Sequence, residues 1–341
     1  MSDWQSFLAG RGASFDPPGV ASFGNPLAEL LAARDGTIVA DLSHNALLAV
    51  TGDDAAAFLQ GQLTNDVQAL APGAAQRNGW CSPKGRLLAT FLLLRRDDGF
   101  LMMLPAEIAE SVAKRLRMFV LRSKVKIEDA SERFRSIGIA GKAAVAAAGR
   151  AFGRAPAVMA SVERDGSTCV ALAIDRFVIL AAVESAPGLW EALAREATQA
   201  GKDAWEWTAI RAGIPTVVAK TQDEFVPQMA NFELVGGVSF RKGCYPGQEI
   251  VARTQYRGIL KKRMARMRLE GDRRPAPGDS VYGATFGDQA AGTVVAATPA
   301  PAGGFEALVV AQIESLEKDE LRLGSPDGAP LRVLSRPAVE A

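Results

Sequence analysis

Three cysteines and one histidine in 341 residues leave little room for the commonest metal and nucleophile chemistries. Cys81, Cys169 and Cys244 lie far apart and form no C-x-x-C, which excludes a disulfide framework and a zinc site. With His44 as the sole imidazole, a multi-histidine metal site is impossible, and a His-paired nucleophile has one candidate base. His44 itself reads as a turn residue before a strand, with titration as its alternative role. No apolar run approaches the ~20 residues needed to span a bilayer. Met1-Ser-Asp-Trp4 lacks both the basic and the apolar parts of a signal peptide. The formal charge of +1 gives no global pull toward nucleic acid or anionic membrane. These absences predict a soluble, cytoplasmic protein that works through carboxylates, a thiol, basic side chains or a bound cofactor.

What is present is apolar bulk: 48% of the chain, over a length that implies two or three domains. The first ~35 residues, broken by Pro17, Pro18, Gly19, Gly24 and Pro26, read as irregular up to a helix around Leu27–Ala33. Ala46–Val50 reads as a short strand. Thr51-Gly-Asp-Asp54 has capping-box spacing and opens a helix through Ala55, Phe58, Leu59 and Leu63, which Thr64-Asn-Asp66 ends with turn chemistry. Leu87–Leu94 and Phe100–Leu104 flank Asp98-Gly99 as a β-hairpin. Pro105 leads into an amphipathic helix with Ile108, Val112, Leu116 and Phe119 on one stripe. Its charged residues, Glu107, Glu110, Lys114, Arg115 and Arg117, form a solvated face.

The order recurs further on. Cys169–Ile174 and Phe177–Val183 turn at Asp175-Arg176, and a helix follows with Leu189, Trp190, Leu193 and Ala197. Hairpin then helix, twice, predicts two α+β modules of similar build. The alanine-rich stretch Gly141–Pro156 reads as a helix on the surface of the second module. After Gly258, short strands (Ala265–Leu269, Ser280–Tyr282, Gly292–Ala297, Ala307–Ile313 and Leu331–Leu334) separated by Pro and Gly turns predict a small closed barrel or sandwich. The domain division is therefore 1–140, 141–257 and 258–341. Lys261-Lys-Arg263, with Arg266 and Arg268, is a local basic run that reads as a solvated face.

Function points to Arg241-Lys-Gly-Cys-Tyr-Pro-Gly-Gln-Glu249. No period of 2 or 3.6 runs through it, so core packing does not explain its composition. Gly243 and Gly247 permit backbone angles closed to other residues, and Pro246 fixes its own φ and restrains Tyr245. The segment predicts a shaped loop that aims the Cys244 thiol, with Arg241 and Lys242 on one side and a helix opening at Gln248-Glu249 on the other. Both features favour thiolate. Cys81 and Cys169 read instead as small hydrophobes. Trp205 and Trp207, two apart on a helix over Asp203–Ala212, are expected to point to different faces, one of them into the core.

Phe225-Val-Pro-Gln-Met-Ala-Asn231, continued by Gly236-Gly-Val-Ser-Phe-Arg-Lys-Gly-Cys-Tyr-Pro-Gly-Gln-Glu-Ile-Val-Ala-Arg253, resembles the YgfZ family. Its members are folate-binding proteins that support iron–sulfur enzymes and share a superfamily with the glycine cleavage T-protein, an aminomethyltransferase. Asp41-Leu-Ser-His44, Val50-Thr-Gly-Asp-Asp54, Phe58-Leu-Gln-Gly-Gln-Leu-Thr-Asn-Asp-Val67 and Cys81-Ser-Pro-Lys-Gly-Arg86 resemble the superfamily's earlier segments in the same order. The resemblance implies a T-protein-like α+β fold: a ring of two ferredoxin-like modules and a C-terminal small β-barrel around a tetrahydrofolate pocket.

It also implies roles. Cys244 is the essential thiol with Lys242 beside it. Gln248, Glu249 and Arg253 lie near the folate, where a guanidinium suits a glutamate carboxylate. Trp205 is the folate-stacking aromatic, and Asn45 stands where the family has a second tryptophan. Where the T-protein has its catalytic acid, this chain has Leu88 and Ala89, which counts against aminomethyl transfer unless Asp66 or Glu249 substitutes. The implied partners are iron–sulfur enzymes or cluster carriers, tRNA-thiolating enzymes among those supported, with no membrane and no direct nucleic-acid contact. Three scattered cysteines cannot ligate a cluster that takes four thiolates, so any cluster contact is transient or shared. A one-carbon transferase and a thiol redox module remain the alternatives.

Overall fold

Two strands with no alternating pattern lie centrally in the larger sheet. Thr37–Asp41 is buried at every position, and Phe134–Gly141 at five consecutive ones, Ser136 to Ala140. Strands covered on both faces carry no period of 2, which is why they escape a pattern search. The computed structural model describes residues 2–256, 258 and 260–336. They form two compact units: one takes the chain up to Ala56 with Ala69–Gln76 and Leu92–Thr208, the other takes Ala57–Gln68, Arg77–Phe91 and the chain from Ala209 onward. The final residues of the 258–341 segment, from 337, lie outside the described residues.

The first unit holds a six-stranded sheet in the order Ser161–Arg164, Ser167–Ala173, Arg176–Ala182, Phe134–Gly141, Thr37–Asp41 and Thr198–Ala200. Only the last pair is parallel, Thr198 lying opposite Ile38. A five-stranded sheet runs Ala75–Cys81, Leu87–Arg96, Gly99–Pro105, Asn45–Thr51 and Lys126–Asp129. Leu47, Ala49, Leu94 and Leu101 of this sheet share a core with Ile38, Ala40, Val178, Leu180, Trp205 and Trp207. The helices Ala144–Phe152 and Ala186–Ala194 cover the opposite face of the six-stranded sheet, with Phe152, Trp190 and Leu193 buried against Val39, Ile137 and Ile179.

The second unit contains a closed barrel. Its strands run Lys262–Leu269, Phe305–Gln312, Ala290–Pro299, Ser280–Gly283, Leu321–Leu323 and Pro330–Ser335, and the last pairs back onto the first, Leu331 opposite Leu269. The expected class holds: α+β sheets followed by a small barrel rather than a sandwich.

Several local expectations need correction. The first 35 residues are not irregular: Asp3–Ala9 is a helix whose capping box joins Ser2 and Gln5, and Ser14–Asp16 pairs with Gly19–Ser22. The amphipathic helix after Pro105 ends at Arg117, so Phe119 leaves the buried stripe of Ile108, Val112 and Leu116 and faces solvent. Trp205 and Trp207 do not part: both are buried in the same core, because the helix Lys202–Arg211 that carries them is enclosed on more than one side.

Trp190 is the largest fully buried side chain; it packs edge-on to Trp4 at 5.7 Å and donates from Nε1 to Gln199 Oε1 at 2.9 Å. Trp190→Ala removes this packing and orphans the Gln199 oxygen. It should lower the stability of the first unit by about 3–5 kcal/mol, read as an earlier urea transition.

Candidate functional site

The loop singled out in the sequence belongs to the second unit, and backbone contacts rather than side chains set its course. Ser82-Pro-Lys-Gly-Arg86 closes a tight turn, with Ser82 N–H donating to Arg86 O and Gly85 N–H to Ser82 O, each at 2.8 Å. Gly85 (φ +69°) and Gly247 (φ +80°) both occupy the left-handed region. A Cβ on Gly247 would lie 2.4 Å from Ser82 O and 2.6 Å from Gly85 Cα. Only glycine therefore lets the two bends touch. Immediately after this contact the helix Gln248–Tyr256 begins, as the Gly-Gln-Glu stretch suggested. Gln228 secures it, donating from Nε2 to Val251 O at 2.8 Å.

Lys242 anchors the other end of the loop. Its residue is 8% exposed, and its Nζ donates to the carbonyl oxygens of Gln60 and Leu63, both at 2.5 Å, and lies 4.9 Å from the centre of the Tyr245 ring. Burial outweighs the Asp66 and Cys244 charges and lowers its pKa to about 8. Gln60 organises the segment Lys242 grips: its Oε1 accepts from Val67 N–H at 2.7 Å and its Nε2 donates to Asp66 at 3.1 Å. Thr64 and Asn65 complete the seam, donating to the carbonyls of Gly237 (2.6 Å) and Gly236 (2.8 Å).

Between these anchors Cys244 is exposed, while Cys81 and Cys169 are buried. Burial, with the Asp223 carboxylate adding to it, pushes the Cys81 thiol far above its usual range. Burial alone pushes Cys169 up to about 12. Tyr245, buried beneath the loop, is likewise driven up by burial and by the Cys81 charge. Arg241 is exposed beside the loop, and Gln248 is half-buried at the helix start. Glu249 and Arg253, both exposed, line a cleft of about 400 Å³ with Ile250, Ala252 and Tyr256. One unit thus holds Lys242, Cys244, Gln248, Glu249 and Arg253 within a single loop and helix.

Asn45 and Trp205 lie in the first unit. Asn45 starts a strand and is half-buried. Trp205 is 3% exposed; the Arg176 guanidinium sits 4.3 Å over its ring, and the missing side chain of Gly138 admits it, since a Cβ there would come 2.6 Å from Cζ3. Next to it, His44 Nε2 and Glu206 Oε1 are 3.0 Å apart. Burial pushes the Glu206 carboxyl up, but the His44 hydrogen bond and charge, helped by Arg176, outweigh it and hold the group below its ordinary value.

Leu88 and Ala89 are both buried on their strand and bring no proton-transfer group. The basic run after Lys261 is largely committed. Arg263 pairs with Glu233 and donates to Gln228 O at 2.9 Å, Arg268 pairs with Glu270 at 2.6 Å, and Arg266 faces Glu306 at 3.8 Å. Among the described residues no group of three or more His, Cys, Asp or Glu is placed to hold a metal ion, and no helix is long and apolar enough to cross a membrane.

Sequence reasoning missed Gln60, Gln228, Asp223 and Asn78, which act through main-chain and side-chain bonds to distant segments. Asp223, at φ +60°, accepts from Ser82 Oγ at 2.6 Å, and Asn78 Oδ1 accepts from Asn65 N–H at 2.9 Å. No local pattern marks them: Asp223 lies in the polar run Lys220-Thr-Gln-Asp-Glu224 and Asn78 follows Gln76-Arg77.

The sheets and barrel define the aminomethyltransferase T class of fold. The structure superposes on the glycine cleavage system aminomethyltransferase T from Bartonella henselae with a TM-score of 0.81, covering 98% of this chain and 97% of that one at 18% identity. The family described as the GCVT N-terminal domain matches residues 12–234. A Cronobacter sakazakii protein called "tRNA-modifying protein YgfZ" is 32% identical over 270 residues, 78% of this chain and 82% of that one. The chain belongs to the YgfZ family of the T-protein superfamily.

Two outcomes follow. A thiol reagent should titrate one cysteine in the native protein and three after denaturation; a second fast thiol would contradict the burial of Cys81 and Cys169. An unfolded chain holds the Lys242 proton up to about pH 10.5 and the folded one releases it near 8, so between these values the unfolded state binds more protons. This group's contribution to stability therefore rises with pH across that window. Urea midpoints of the wild type should gain on those of Lys242→Met from about pH 8 to 10.5, and a shrinking difference would contradict the buried ammonium.

Proposed function

We propose that this chain is a tetrahydrofolate-binding accessory protein that supports iron–sulfur enzymes, tRNA-thiolating enzymes among them, with Cys244 as its working thiol. The observation that carries the reading is the braced, exposed Cys244 beside a lysine whose pKa is lowered to about 8. Since Cys81 and Cys169 are buried, a cluster or cluster carrier can meet one sulfur only. Four thiolates are the usual requirement, so Cys244 supplies one ligand to an iron that other proteins hold. Lys242 orients the loop and places its ammonium group two residues from the thiol.

The second unit suits a folate. Arg253 opens on the 400 Å³ cleft as a carboxylate partner, and the buried atoms Asn78 Nδ2 and Gln62 Oε1 have no hydrogen-bond partner among the described residues. An amide donor and an amide acceptor are the kinds of group that a pterin's mixed edge would pair with, although neither residue lines the Arg253 cleft. Folate, when bound, would supply a one-carbon carrier and an aromatic surface. Trp205 fits less well as it stands: stacking a pterin on it requires the Arg176 guanidinium to give up its place over the ring. Aminomethyl transfer is disfavoured by the buried, proton-inert Leu88 and Ala89. The name of the Cronobacter relative supports a link to tRNA modification, which the reading assigns to the enzymes supported.

The test pairs binding with rescue. Tetrahydrofolate titration followed by tryptophan fluorescence should saturate equally for the wild type and Cys244→Ala. In cells lacking the protein, only the wild type should restore a cluster-dependent enzyme; full rescue by Cys244→Ala would remove the thiol from the function.

A further inference from the structure

The turn that follows the helix Ala106–Arg117 carries three large apolar side chains into solvent: Met118 is 64% exposed, Phe119 46% and Leu121 87%. Scattered exposed hydrophobics are ordinary, but three within four consecutive residues form a patch. The turn is not loose. Met118, Phe119 and Val120 N–H donate to the carbonyls of Arg115 (3.2 Å), Leu116 (3.0 Å) and Arg117 (3.2 Å), and Ser123 N–H to Val120 O (2.8 Å). Arg117 straps it down, donating from Nε and Nη2 to Ile127 O at 3.0 and 2.8 Å. Lys124 N–H donates to Asp54 at 2.7 Å, and the backbone there passes so close to Gly52 that a Cβ would lie 2.1 Å from Lys124 O.

Leu121 has φ +45°, a region suited to glycine or asparagine. Neither burial nor backbone preference explains a leucine there. A local conflict of this kind points to a role outside the fold.

Charge identifies what the patch meets. From Ser111 to Ile127 there are six lysines and arginines and no acid, in a chain whose formal charge is +1. Lys124 pairs with Asp53 and Lys126 with Glu128, whereas Lys114 and Arg122 carry exposed charge beside the apolar turn. An apolar knob flanked in sequence by the exposed cations Lys114 and Arg122 has the anatomy of a protein interface, with a desolvated anchor beside a charged rim. Of the three apolar side chains, only Phe119 offers a ring, whereas single-strand binding stacks successive bases on several aromatics; Met118 and Leu121 offer none. The helix before them has its apolar stripe buried in the core, which leaves no face to lie in a membrane.

We infer that Met118–Arg122 is a docking knob for an acidic segment of a partner protein bearing an apolar side chain that packs on Leu121. This inference stands apart from the folate and Cys244 reading, which it neither uses nor supports.

The test uses the full-length protein and fluorescent peptides. One peptide has glutamates interrupted by leucine and phenylalanine; a second has serine in place of those apolar residues; an RNA oligonucleotide and phosphatidylglycerol vesicles complete the set. Leu121→Gly suits the positive φ and should leave the thermal transition in place, and Arg122→Glu reverses an exposed charge. The wild type should bind the glutamate–leucine peptide, and each variant should bind it at least about tenfold more weakly. The inference is overturned if the variants bind as the wild type does, if the serine peptide binds as well, or if no peptide binds. It is equally overturned if RNA or vesicles bind through Leu121.

Discussion

The approach of Gly247 to Gly85 and the Ser82 carbonyl is the constraint on which the site depends. Two bends remote in sequence touch main chain to main chain, and no other residue at Gly247 can occupy that space or that backbone angle without displacing one of them. The contact fixes where the helix Gln248–Tyr256 starts, and through it the placing of Glu249 and Arg253 along the cleft. From the other side, Lys242 donates to the carbonyl groups of Gln60 and Leu63, so its buried ammonium braces the loop while standing two residues from the thiol. Cys244 is thus held at both ends and left open in the middle.

Burial separates the three cysteines by what they can do. Cys81 and Cys169 are inert because a thiolate in apolar surroundings loses its hydration, and both thiols are pushed up. The sulfur at Cys244 keeps access to solvent and to a partner. In the first unit the same rule works through pairing. Burial raises the Glu206 carboxyl, but His44 and Arg176 outweigh it and hold the group below its ordinary value, and Arg176 in turn covers the Trp205 ring. That chain of contacts ties the one histidine, a carboxylate and the aromatic together, so a ligand that claimed the Trp205 face would disturb all of them.

How much of this was legible in the sequence follows from periodicity. The hairpin-and-helix units at Leu87–Arg117 and Ser167–Ala194 showed because a tight turn joins two apolar runs and the helix that follows has one wet face, although their strands are nearly as buried as the central pair, and the barrel because its turns are rich in Pro and Gly. The central strands Thr37–Asp41 and Phe134–Gly141 did not show, since burial on both sides erases alternation. The loop at Cys244 was legible because its composition makes no sense as core. What braces it was not: Gln60, Asp223 and Gln228 act across more than twenty to about 180 residues of sequence, and nothing local marks them. The two tryptophans illustrate the opposite failure, where helical geometry assigned two faces and an enclosed helix buried both. Phe119 fits the helix stripe by spacing but lies two residues past the helix end, where the chain has already turned it toward solvent.

The most direct measurement of the central claim is rescue of a cluster-dependent enzyme by Gly247→Ala, a variant whose thiol is chemically intact. The folded variant should fail as support, because a methyl group 2.4 Å from Ser82 O must push the loop and its sulfur out of register. Support at the wild-type level from soluble Gly247→Ala protein would contradict the claim that this glycine contact is what makes the thiol useful.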